Sequence, residues 1–306
     1  MSNKQRKISK KQAKKVFNTV GLFLIIYVLL VMLIPSILYE FLLTTDSTIL
    51  DDKTLYFGIY FIIILFGTIL PFFIMRKIFK LPFKKMNRHF SATFADLFVQ
   101  TIVFFTICIG LTYVSNNLFS YLGMEGKLIC SIGLNYEQDN LKNALYVFML
   151  IVVTPLVEEY AFRGVLLNIL GRYGKLFGLY AASIIFAFAH TNFAEMIPAL
   201  AMGYYLGKTS LRYRSIIPTI FIHILFNGLI YALCVLPLSV TRYMSYVLVL
   251  IIAAAVYLYV SGRYERIVIQ KTNSEKLTLA IFFNRPTVII AILLMIADTV
   301  MFMLRT

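Results

Sequence analysis

The sequence predicts an all-α fold, a polytopic transmembrane helix bundle of eight or nine spans, on three observations. Of 306 residues, 60% are hydrophobic and only 14% are charged, where a soluble domain carries roughly 25% charged residues. The apolar residues gather in runs long enough to cross a bilayer, which takes about 20 residues. The net charge of +15 sits in blocks between those runs, as the excess Lys and Arg of cytoplasmic loops do. That placement also excludes nucleic acid as a partner, because topology already accounts for the basic excess.

The first run, Phe17–Leu43, follows Lys4, Arg6, Lys7, Lys10, Lys11, Lys14 and Lys15 with no acid among them. It is too long for a signal-peptide core and no small-residue cleavage site follows it, so it reads as a retained helix. Further spans are predicted at Leu55–Met75, Phe94–Tyr113, Leu145–Leu170, Leu176–His190, Met196–Leu206, Ile216–Leu236, Met244–Val260 and Thr287–Leu304. Met196–Leu206 is short for a span. No internal repeat is visible. Loop charges alternate: Asp46, Asp51 and Asp52 mark an outer loop, and Arg76, Lys77, Lys80, Lys84, Lys85 and Arg88 an inner one. Arg172 and Lys175, then Lys208, Arg212 and Arg214, then Arg263, Arg266, Lys271, Lys276 and Arg285 fall inside, with Glu195 outside. Nine spans with a cytoplasmic N-terminus satisfy every loop. The chain divides into a basic cytoplasmic tail (1–16), N-terminal transmembrane helices (17–141), a core (142–240) and C-terminal transmembrane helices (241–306). The basic tail is also placed to touch anionic membrane lipids. The three cysteines, Cys108, Cys130 and Cys234, are dispersed and form no disulfide or zinc pattern.

Ionisable residues inside spans are costly and mark function or pairing. The fourth predicted span holds Glu158, Glu159 and Arg163, the fifth His190, and the seventh His223 and Asn227. Glu159 and Arg163 are four apart and share a helix face. Glu158 turns about 100° from Glu159, as consecutive α-helical residues do. His223 and Asn227 project together, and Phe186 lies one turn before His190. Counted from the basic loops at 1.5 Å per residue, Glu158 and His190 lie roughly 20 Å deep and His223 and Asn227 roughly 12–18 Å, so all four can converge near mid-membrane. Asp96, Gln100 and Asp298 stand outside this group and read as packing or hydration residues, with the lining of a substrate or ion path as the alternative. His89, in a basic loop, reads as solvated.

In sequence order these segments are V-E-E-Y-A-F-R-G at Val157–Gly164, F-A-F-A-H at Phe186–His190 and H-I-L-F-N at His223–Asn227. Together they resemble the EExxxR, FxxxH and HxxxN motifs of the CAAX protease and bacteriocin-processing family, also called CPBP, Abi or type II CAAX endopeptidases. The resemblance runs from about Leu145 to Leu236, which makes 142–240 a CPBP-like catalytic core. It implies a glutamate-type intramembrane protease. Glu158 and His190 would activate water, His223 and Asn227 would stabilise the oxyanion, and Glu159, Arg163 and Phe186 would support them. The chemistry is coherent: a partly desolvated carboxylate is suited to take a proton near neutral pH, and oxyanion donors stabilise the developing charge.

No cofactor is expected. A zinc site built from Glu158, His190 and His223 is the disfavoured alternative, because HExxH spacing is absent and the ligands would come from three helices. The expected substrate is a small membrane-associated peptide or lipidated tail, in a bacterial plasma membrane. A competing reading is a non-proteolytic partner of a membrane protein, giving bacteriocin immunity or regulating a sensor or transport protein. A proton-relay transporter is weaker, since no inverted repeat is seen.

Overall fold

The computed structural model describes residues 10–45, 53–82, 94–122, 140–190, 192–235 and 275–305, with scattered positions between 246 and 260. Outside that last stretch the described chain forms nine helices and no strand. They are α1 (Lys10–Thr44), α2 (Lys53–Ile78), α3 (Phe94–Tyr121), α4 (140–170), α5 (Lys175–Phe188), α6 (Phe193–Tyr213), α7 (Ile217–Val235), α8 (Glu275–Phe283) and α9 (Pro286–Arg305). Helices are what these runs must form, since a bilayer offers no water to backbone N–H and C=O groups. Among the described residues four helices are long and apolar enough to cross a membrane: Lys10–Thr44, Gly58–Ile78, Leu97–Tyr121 and Ala144–Tyr173. Lys175–Phe188, Ile217–Leu233 and Pro286–Met301 are shorter apolar helices. Apolar side chains such as Ile37, Phe66, Val114 and Leu293 face outward, as the lipid-facing surface of a bundle requires.

The predicted span Met244–Val260 falls largely outside the described residues. So do the acidic loop at Asp46–Asp52, His89, Cys130 and the side chain of Asp96. Two differences from the predicted spans stand out. The short span Met196–Leu206 is the middle of the 21-residue α6. Its start is set by Asn192, whose Oδ1 accepts the Ala194 N–H, an N-cap that apolar counting overlooks. Its far end carries Lys208 and Arg212 on the helix and stops at Arg214, which is left-handed at φ 51°. The second change is α8, which occupies a stretch expected to be loop. Its Phe282 is fully buried.

The helices interlock where side chains are small. Gly203 of α6 lies against the backbone of Ser183 on α5, and Gly207 lies against Leu179 one turn on. Small residues four apart let two membrane helices approach closely. Gly178 opens the turn from α4 into α5, facing the backbone of Gly171. Gly21 of α1 faces the backbone of Val288 on α9. The start of α1, the α4–α5 turn and α8 meet at Phe17, whose ring contacts Tyr173, Phe177 and Phe282 at 5.0, 5.4 and 5.3 Å. The Arg172 guanidinium donates to the Phe79 carbonyl at 3.0 Å, so the basic ends of α2 and α4 share one side. Deeper, Tyr27, Phe72 and Phe162 join α1, α2 and α4.

Two helices widen into a π turn, Leu29–Leu33 in α1 and Met149–Val153 in α4. Each ends two residues before a proline, Pro35 or Pro155. Proline has no N–H to donate and its ring crowds the preceding turn, and a wider turn relieves both constraints locally. A third π segment, Glu159–Leu166, carries the first motif.

Candidate active site

The site is built on α4 where α5, α6 and α7 meet it. Glu159 and Arg163 point inward together, with 0% and 2% of the side chain exposed, and Arg163 Nη1 donates to Glu159 Oε1 at 2.6 Å. The four-residue spacing predicted this pair, although the segment is π-wound and not α-helical. The offset of about 100° expected between Glu158 and Glu159 assumed α geometry, and the wider winding changes it. What survives is the division between the two carboxylates: Glu158 keeps 25% of its side chain exposed.

The Arg163 guanidinium is held on two further sides. Its second guanidinium nitrogen reaches the Met202 carbonyl of α6 at 3.4 Å, and its plane sits 4.2 Å from the Phe186 ring centroid. Asn168 donates to the Arg163 and Gly164 carbonyls, both at 3.0 Å, at the end of the π segment where helical donors run short. The sequence reading passed over Asn168. A census of neutral amides as well as charges within the spans would have found it.

His223 of α7 is buried and places Nδ1 2.9 Å from Glu159 Oε1. Paired with Arg163, Glu159 is a carboxylate and only accepts, so His223 Nδ1 carries a hydrogen. Its Nε2 then faces Glu158 Oε2 at 3.8 Å, longer than a hydrogen bond. That nitrogen has a lone pair when the ring is neutral and an N–H only when the ring is protonated.

His190 follows the same logic. It lies in the turn just past α5, not within the helix as the span Leu176–His190 had it. Its Nδ1 is 2.9 Å from the Phe186 carbonyl, one of the last-turn carbonyls that a helix leaves without a partner. A carbonyl only accepts, so Nδ1 donates and Nε2 is left over for the site. Phe186 is the common wall: its ring meets His190 at 4.9 Å, His223 at 6.4 Å and Phe162 at 5.0 Å. His190 lies within electrostatic reach of Glu158, His223 and Arg163.

Asn227 sits one turn from His223, and its Nδ2 donates to the Leu150 carbonyl of α4 at 3.2 Å. The amide has two N–H bonds and this contact uses one. Of the outlying polar residues, Gln100 is buried and receives the Tyr205 hydroxyl at 2.7 Å, which ties α3 to α6. That is a packing role. Asp298 is buried on α9. Among the described residues no group of three His, Cys, Asp or Glu side chains is arranged to hold a metal ion.

Residues 140–229 match the family model described as type II CAAX prenyl endopeptidase Rce1-like. The match runs from the start of α4 into α7 and contains all three motifs, so it bears out the resemblance read from them. The family is one of proteases, which supports an integral membrane enzyme of the CAAX endopeptidase type. No curated protein matches the chain, and no solved structure matches it.

Proposed function

We propose, from the Rce1-like segment at residues 140–229, that the chain is a glutamate-type intramembrane endopeptidase with Glu158 as its base. One observation carries the reading. Two adjacent carboxylates have separate duties: Glu159 is buried and consumed by Arg163 and His223, while Glu158 is partly open and faces His223 Nε2. Glu158 is therefore the carboxylate free to take a proton from water. His190 Nε2, with Nδ1 fixed on the Phe186 carbonyl, is suited to pass that proton to the leaving amine. An oxyanion would be met by the second N–H of Asn227 and by His223 Nε2–H. The latter donor exists only in the protonated ring.

The substrate class that fits is a small membrane-associated peptide or a lipidated tail, cut within a bacterial plasma membrane by a chain whose N-terminus is cytoplasmic. The test compares two isosteric variants of the purified full-length protein, with a peptide library read by mass spectrometry. Glu158→Gln is expected to lower cleavage by about 10²–10⁴-fold, the usual contribution of a positioned base, with an unchanged unfolding temperature. Glu159→Gln is expected to lower the unfolding temperature as well. Full turnover in Glu158→Gln would remove Glu158 from the base role.

A further inference from the structure

The Leu150 carbonyl belongs to the π turn of α4. In a helix it would be met by the N–H of residue 154 in α winding or residue 155 in π winding. Thr154 gives both its N–H and its hydroxyl to Met149 O, the hydroxyl at 3.1 Å. Residue 155 is Pro155, buried and without an N–H. The backbone of α4 thus leaves Leu150 O without a helical donor, in a membrane-embedded helix where water is scarce. Asn227 reaches across from α7 and fills that place at 3.2 Å. The same two helices meet again higher up through His223 and Glu159 at 2.9 Å. From Leu150 to Glu159 α4 advances, and from Asn227 to His223 α7 runs back, so the helices are antiparallel and pinned at two heights.

We propose that Asn227 is a positioning residue: its amide replaces the N–H that Pro155 removes, and this latch fixes the height at which α7 presents His223 to Glu158. The functional part rests on the endopeptidase reading, with Glu158 as the base and His223 beside it as an oxyanion donor. The latch uses one N–H, so the amide's other N–H stays available for the oxyanion. The reach of an amide matters here: an Asp at 227 would offer a carboxylate to a carbonyl, and an Ala would offer nothing. Pro155 and Asn227 are therefore energetically linked through Leu150 O, although neither belongs to the other's helix.

The experiment is a double-mutant cycle on the full-length protein in detergent, with Asn227→Ala, Pro155→Ala and the pair together. The readouts are the thermal unfolding midpoint and the split between kcat and KM. In the Pro155 background, Asn227→Ala is expected to lower the midpoint and to reduce kcat with KM little changed, through the lost oxyanion N–H and through displaced reacting groups, the latter by up to about 10²-fold for a shift of about 1 Å. In the Pro155→Ala background the chain has its own N–H for Leu150 O, and the drop in midpoint on removing Asn227 is expected to fall to less than half, with kcat recovering in part. Asn227→Asp is expected to behave no better than Asn227→Ala. Equal midpoint losses in both backgrounds overturn the latch. A wild-type chain that cuts no peptide while the midpoint coupling persists would sink the protease reading and leave the latch standing. Should Pro155→Ala fail to insert, Pro155→Gly restores the same N–H and the cycle is read from it.

Discussion

Arg163 is among the largest fully buried side chains in the molecule, and it is charged. Its partners explain how that is tolerated. A carboxylate on the same helix, a carbonyl from α6 and an aromatic face from α5 surround the guanidinium. Such pairs are often no more stabilising than an apolar replacement, but removing one partner strands the other. Arg163→Met is therefore expected to cost about 3–5 kcal/mol, because Glu159 keeps its charge without its cation. The double variant Glu159→Gln with Arg163→Met is expected to recover much of that loss, which thermal unfolding in detergent would measure. If the single and double variants unfold alike, the pair is not what makes Arg163 matter. The same residue-level logic separates the two histidines from generic bundle polar groups. Each has Nδ1 committed to an acceptor, Glu159 in one case and the Phe186 carbonyl in the other, so each is left with a defined Nε2.

At the scale of helices, proline and glycine set the geometry in opposite ways. Pro35 and Pro155 each follow a π turn, and the one in α4 frees the carbonyl that Asn227 meets. Glycines instead set how closely helices approach, and their tolerance to change depends on what faces them. A methyl group on Gly178 would lie 2.6 Å from the Gly171 amide nitrogen and 2.8 Å from its Cα, both backbone. On Gly207 it would lie 2.6 Å from Leu179 Cδ1, the tip of a flexible side chain. Gly178→Ala is thus expected to destabilise by about 1–3 kcal/mol, the usual range for overpacking, and Gly207→Ala by distinctly less. Denaturation of the two variants in one detergent decides the order. A larger loss at Gly207 would show that the α5–α6 contact is the less forgiving of the two.

Across the whole molecule, the start of α1, the α4–α5 turn and α8 gather around Phe17, with the basic end of α2 tied in through Arg172. If charge sets orientation, single cysteines at Lys80 and Arg214, in a background with the three native cysteines replaced, should be labelled from the cytoplasmic side only. Labelling of those two positions from opposite faces would refute the topology. The helical bundle was legible because apolar runs of spanning length have no other way to satisfy their backbone in lipid. The Glu159–Arg163 pair and the Phe186–His190 contact were legible too, since both partners lie four residues apart on one stretch of chain. The start of α6 at Asn192 and the existence of α8 were missed because a cap and a short helix leave no long apolar run. Which carboxylate is spent and which is open depends on His223 arriving from α7. What Asn227 binds depends on a carbonyl at Leu150, and a backbone atom has no letter in a sequence. Covalent neighbours and helical period are written along the chain. The partner of a buried polar group is chosen by whichever helix packs beside it, and only the three-dimensional arrangement makes that choice.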